Sequence, residues 1–289
     1  MVLEFISLFV AFVGSSIAAL FDLKTTEIPD EIPDVMIAVG LIFAGVQAYQ
    51  QWDAWPFLNS AIAGLGLLGF GFIMYHFGQW GGGDAKLLAG IGFLIPKLPG
   101  GFIPESFLPF PLVFLFNVFL VGAAYMLVYA FIFALMNKKI IFEFKKGMKS
   151  ISKHLILFSI ALFVIFVFFN FYLSRAFYTP ITPVKLLENS LLPLIGTISL
   201  FVVWKFAKVV EEVGFKKKIP VSRLRVGDVL LESKVWEGIT EKELSKIKKS
   251  GKRYVVIKEG VRFGPSFPLA LLFTLFFGNG LLLLMNFLI

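Results

Sequence analysis

The chain has 289 residues, 58% of them hydrophobic and only 16% charged, with 36 phenylalanines and a formal charge of +8. A soluble domain carries roughly 25% charged residues, so a water-soluble globule is excluded and lipid is the solvent for most of the chain. The absence of cysteine excludes disulfides, thiolate catalysis and Cys-based zinc sites. Two histidines far apart, His76 and His154, do not make a multi-histidine metal site, and no metal or other cofactor is expected.

Eight apolar spans are predicted, near 3–21, 35–50, 57–77, 85–96, 111–136, 155–174, 190–206 and 265–289. The first lacks the basic n-region of a secretory signal, since its one early charge is Glu4, and it reads as a retained span with its N-terminus outside. Gly64, Gly66, Gly69 and Gly71 line the third span, where small residues let helices approach closely. The fourth is short for a requirement of roughly 20 residues. A basic cytoplasmic loop, 137–154, follows the fifth, and 155–208 supplies two further transmembrane helices.

Residues 209–264 are polar. Val226 to Leu231 reads as a turn into a strand, Thr240 to Ser250 as a short helix with a capping-box Glu243, and Tyr254 to Ile257 as another strand. The expected architecture is therefore an all-α polytopic membrane protein of about eight transmembrane helices. It has a small cytoplasmic α+β domain at 209–264, before the C-terminal transmembrane helix at 265–289.

Charge sets the orientation. With the N-terminus outside, the inner segments 22–34, 78–86, 137–154 and 205–264 hold 1, 1, 6 and 16 Lys/Arg, leaving only Lys97, Arg175 and Lys185 outside. Discounting the long 205–264 segment still leaves 8 against 3, a positive-inside bias. That segment carries eight acids against its 16 bases. It reads as an ordinary positive-inside loop domain, with docking to anionic lipid or an acidic partner as the sharper alternative.

The acids can be sorted by elimination. Eight lie in the polar insert, Glu4, Asp53, Glu105 and Glu188 on the predicted outer side, and Glu143 in the basic loop. Asp22, Glu27, Asp30, Glu31, Asp34 and Asp84 remain, all at the cytoplasmic ends of spans one to four. Asp22 ends the first apolar run, and Asp84 follows Gly81-Gly82-Gly83. Each has a plain structural reading, a helix-end cap for Asp22 and an N-cap of span four for Asp84. Two acids at such depth on one face point instead to function. A pair within hydrogen-bonding reach shares a proton, so one carboxylate can activate water while the other protonates a peptide carbonyl. No metal, thiol or serine is needed. The glycines permit close approach of a substrate strand.

These residues carry a resemblance. Gly81-Gly82-Gly83-Asp84, read as Gly-x-Gly-Asp, lies about 60 residues after Asp22 in Asp22-Leu23-Lys24-Thr25-Thr26-Glu27-Ile28-Pro29-Asp30. Together they resemble the type IV prepilin peptidase family, and within it the archaeal preflagellin and prepilin peptidases. The motif-bearing resemblance covers roughly residues 1–136, the expected catalytic core. It implies that Asp22 and Asp84 form the catalytic dyad, with Lys86 matching a basic residue after the second aspartate. It implies a leader peptidase whose partners are prepilin- or preflagellin-type precursors and the bilayer, with no nucleic acid. The region from Arg223 onward, including Phe263-Gly264-Pro265-Ser266, looks like the C-terminal extension of some archaeal members. Many bacterial members carry a cysteine-containing zinc domain and a methyltransferase activity. This chain has neither the cysteines nor a long insert between its first two spans, which implies peptidase chemistry without methyl transfer.

Gly81, Gly83, Lys86, Glu27, Asp30 and Glu31 are the candidate substrate-binding residues; the acids Glu27, Asp30, Glu31 and Asp34 read equally as a face for a basic leader or as an ordinary polar loop. The competing reading is a proton- or cation-coupled transporter using two intramembrane aspartates, which predicts an inverted repeat that the sequence does not display. A serine hydrolase built on His76 and Ser60 fails because these lie at opposite ends of the third span.

Overall fold

A computed structural model of the chain describes residues 2–100, 108–233, 238–258 and 260–288; Glu105, expected on the outer side, lies outside them. The chain forms two compact units, one of 1–129 with 216–289 and one of 130–215. The first holds α1 (Val2–Thr25), α2 (Glu31–Gln51), α3 (Trp55–His76), α4 (Gly82–Leu94) and most of α5 (Phe110–Met136). The second holds the end of α5, then α6 (Lys138–Ala176) and α7 (Pro183–Val210), closed by a π-helical turn at Glu211–Phe215. The rest of the first unit is β1 (Lys216–Pro220), β2 (Val229–Leu230), α8 (Glu241–Lys249), β3 (Tyr254–Lys258), α9 (Ser266–Phe277) and α10 (Gly280–Leu288).

Among the described residues six helices, α1, α2, α3, α5, α6 and α7 with its π turn, are long and apolar enough to cross a bilayer. This makes the protein a helical membrane protein. The bent pair α9–α10 is a seventh if it counts as one span. The expected fourth span is the 13-residue helix α4. At 1.5 Å per residue it covers roughly 20 Å of a core of about 30 Å. It is sheltered instead: Leu87, Leu88, Ala89 and Ile91 are completely buried. Of the four glycines in α3, only Gly64 and Gly71 make the close approach expected of them. A Cβ on Gly64 would run into the Phe93 ring and one on Gly71 would stand 2.8 Å from Ala85 Cα, whereas Gly66 and Gly69 face open space.

Two further expectations are corrected. Residues 138–154 are not a loop: α6 runs unbroken for 39 residues, its N-cap Asn137 accepting the Lys139 N–H at 3.2 Å. Lys138, Lys145, Lys149 and Lys153 recur at helical spacing and are exposed, while Ile140 on the other side is buried. A lysine-rich stretch with that period is an amphipathic helix. The last span is likewise not one helix. It bends by 59° between α9 and α10, where Gly278 adopts φ 74°. Asn117 of α5 satisfies the freed backbone there. Its amide donates to Thr274 Oγ1 and the Gly278 carbonyl, both at 2.8 Å, and its Oδ1 accepts the Gly280 N–H at 3.1 Å. Irregular backbone away from water needs such a partner.

In the polar stretch, α8 has the expected capping box. Glu243 accepts the Thr240 N–H at 2.8 Å and Thr240 Oγ1 accepts the Glu243 N–H at 3.4 Å, which holds the Glu243 carboxyl below its usual range. The strands form an antiparallel sheet of order β1-β3-β2, with Lys217 opposite Ile257 and Leu230 sharing that partner. β1, which carries Lys216, Lys217 and Lys218, is not among the strands expected from the sequence. Leu224, Ile239 and Ile257 form the small core beneath.

Candidate active site

Asp22 stands near the C-terminal end of α1, where Thr26 at φ 62° ends the helix and donates its N–H to the Asp22 carbonyl at 2.8 Å. The aspartate side of that turn faces inward, and Asp22 is only 5% exposed. Its Oδ2 accepts the backbone N–H of Gly264 at 2.7 Å.

Asp84 comes from the start of α4. Gly81, in extended backbone, is the N-cap, and Asp84 sits at the third helical position with its Oδ2 accepting the Gly81 N–H at 3.0 Å. The expectation of Asp84 as N-cap is therefore shifted by one turn, and the helix N-terminus still favours its negative charge. Trp80, just before the motif, is buried and anchors it. Its ring lies 5.8 Å from Phe263, 5.9 Å from Phe267 and 5.6 Å from Phe119.

The helix α1 packs against α4, and the charge of Asp22 acts on Asp84. Gly83 makes this approach sterically feasible, because a Cβ there would stand 2.8 Å from Ile28 Cβ, on the segment that follows Asp22. Gly82 differs, its nearest neighbour being Tyr75 at 3.9 Å, so the free space of the motif is at its middle glycine.

The other candidates divide. Lys86 and Asp30 are brought together, the Lys86 ammonium lying 3.1 Å from Asp30 and 3.5 Å from Asp34, which ties α4 to the first turn of α2. Glu27 and Glu31 are exposed on the same connection. Ser60 is buried and donates to the Phe93 carbonyl at 2.6 Å, while His76 stacks on Phe72, so they do not meet.

Three residues were not singled out as site residues by the sequence. Arg262 was counted only among the insert's charges, yet its charge acts on Asp22 and its Nη1 donates to the Tyr129 hydroxyl at 2.8 Å. Tyr125, one helical turn before Tyr129, feels the charges of both Asp22 and Arg262. Gly264 was noted only within a motif. The available signal was the position of Arg262, a lone charge two residues ahead of the Gly264-Pro265 start of the last apolar run.

Residues 9–127 match the type IV leader peptidase family. The prepilin peptidase EppA of Methanothermobacter thermautotrophicus is 33% identical over 141 residues, covering 45% of this chain and 36% of that protein. The preflagellin peptidase of Methanocaldococcus jannaschii is 37% identical over 92 residues, covering 32% of this chain and 39% of that protein. The chain thus spans less than two-fifths of the length of these relatives. The segment that matches this family contains both aspartates and the glycine motif between α3 and α4.

Proposed function

We propose that this chain is a membrane-embedded aspartic endopeptidase. It removes the short basic leader from prepilin- or preflagellin-type precursors at the cytoplasmic face of the cell membrane. The placement of the buried Asp22 at the end of α1, with its charge acting on Asp84 at the start of the neighbouring α4, carries this reading. Two carboxylates in mutual reach share one proton. The ionised one takes a proton from water as the oxygen attacks the scissile carbonyl carbon. The protonated one donates to the carbonyl oxygen, giving a tetrahedral diol. As the diol collapses, a proton passes to the amide nitrogen and the C–N bond breaks. The names of the two archaeal relatives support the substrate class.

The lysine and arginine distribution supports the cytoplasmic orientation. In this topology α4 crosses as a short helix sheltered by protein, and the α9–α10 pair is the last span. Residues 209–264 form the cytoplasmic α+β insert. Glu27 and Glu31, with Asp30 beside Lys86, offer an acidic approach to a basic leader, and the Gly81–Gly83 backbone borders the cleaved strand.

The test is cleavage of a prepilin-type peptide by purified protein in detergent or liposomes, comparing wild type with Asp22→Asn and Asp84→Asn. Cleavage by wild type before the hydrophobic segment, with loss in both folded variants, is the expected result. A variant that still cuts at a comparable rate overturns the dyad.

A further inference from the structure

The two aspartates do not stand in equivalent surroundings. Asp84 accepts a hydrogen bond from Gly81 of its own helix, and the neighbouring charge that acts on it is the anion Asp22. Its nearest lysine in sequence, Lys86, is engaged with Asp30 and Asp34. Asp22 accepts a hydrogen bond from a segment 242 positions away, and the charge of Arg262 in that segment acts on it.

That segment is built for close approach. A Cβ on Gly264 would lie 2.9 Å from both Cβ and Oδ2 of Asp22, so only glycine lets this N–H reach the carboxylate. Arg262 is held by Tyr129, and its Nε is buried with no hydrogen-bond partner among the described residues. The Tyr125 hydroxyl is in the same condition and lies in the field of both Asp22 and Arg262. Phe263 and Phe267 of the same segment touch Trp80, the residue before Gly81. One stretch of chain therefore contacts Asp22 directly and braces the loop that carries Asp84.

We propose that Arg262 and Gly264 assign the roles within the dyad, holding Asp22 as the ionised, water-activating carboxylate and leaving the shared proton on Asp84. The proposal rests on the peptidase reading above. The physical reason is electrostatic: each carboxylate accepts one backbone N–H, and a proton shared by two carboxylates resides on the one that lacks a nearby cation. Arg262 is a positioning residue, acting through Asp22. The titratable groups around Asp22 are Arg262, Asp84 and Tyr125.

The experiment is the pH profile of kcat/KM for the full chain in detergent, on a peptide with a basic leader and a hydrophobic segment. Wild type is compared with Arg262→Gln, Arg262→Met and Arg262→Lys, each checked for folding by gel filtration and melting. With the cation gone, Asp22 ionises less readily, so the acidic limb moves to higher pH by about one unit in the neutral variants. Arg262→Lys restores the wild-type limb. A folded neutral variant whose rate falls equally at every pH, with the limb unmoved, overturns the proposal and makes Arg262 structural. Arg262→Met serves the same comparison if Arg262→Gln does not fold. A wild type inactive on the peptide sinks the peptidase reading and this proposal with it, whereas an active wild type with unshifted neutral variants sinks this proposal alone.

Discussion

Gly264 donates its backbone N–H to Asp22 Oδ2 at 2.7 Å, across 242 positions of sequence. The start of the last apolar segment thereby becomes part of a site whose recognised motifs all lie in the first third of the chain. Gly264→Ala tests the contact, because its Cβ would stand 2.9 Å from the carboxylate oxygen. Cleavage should fall by at least about tenfold, the equivalent of losing one charge-assisted hydrogen bond. Unchanged kcat/KM in a folded variant would show that the contact has no part in catalysis.

The glycine motif makes a sharper contrast. Gly83→Ala places a methyl group 2.8 Å from Ile28 Cβ and must push the Asp22–Asp30 segment away from Asp84. Gly82→Ala meets nothing closer than 3.9 Å. Peptide cleavage should be lost, by about 100-fold or more, in the first variant and reduced much less in the second. The reverse order would mean that the motif serves substrate access rather than the approach of the two segments.

A dyad that shares a proton works only while one member is ionised and the other is not. Below the lower titration both are protonated and no base remains; above the upper, both are ionised and no acid remains. Wild-type kcat/KM should therefore trace a bell against pH. A rate that climbs steadily through alkaline pH would argue against a carboxylic acid donor.

Lys86 bridges two carboxylates one helical turn apart, Asp30 at 3.1 Å and Asp34 at 3.5 Å, with its side chain 36% exposed. Partly exposed pairs contribute little, so Lys86→Met should cost about 1 kcal/mol or less. Melting in detergent measures this. A loss of several kcal/mol would show that the pair is shielded from water and fixes α4 against α2.

Asn117 is completely buried and holds both sides of the α9–α10 break. Asn117→Leu conserves volume roughly but leaves the Gly278 carbonyl and Gly280 N–H unpaired. Each orphaned group costs about 1–3 kcal/mol, so a drop of about 2–4 kcal/mol in unfolding free energy is expected. A change below about 0.5 kcal/mol would mean that the break relaxes into another hydrogen-bonded form.

Composition and local pattern alone determine a good deal here. Long apolar runs place α1, α2, α3, α5 and α7 because backbone groups in lipid must be satisfied within a helix. Asp22 and Asp84 are conspicuous because a carboxylate beside such a run is costly and rare. The Thr240–Glu243 capping box announces α8, since both hydrogen bonds are local. The tertiary structure decided the rest. Apolar content cannot separate a spanning helix from the sheltered 13-residue α4, because every helix in lipid is apolar on all sides. The lysines of α6 hid a helix, since charge signals solvent exposure while the period of the apolar positions signals conformation. The break at Gly278 depends on Asn117, far away in sequence. Arg262 and Gly264 join the site only because folding brings the start of α9 to the end of α1; a hydrogen bond spanning 242 residues leaves no periodic trace in the chain that makes it.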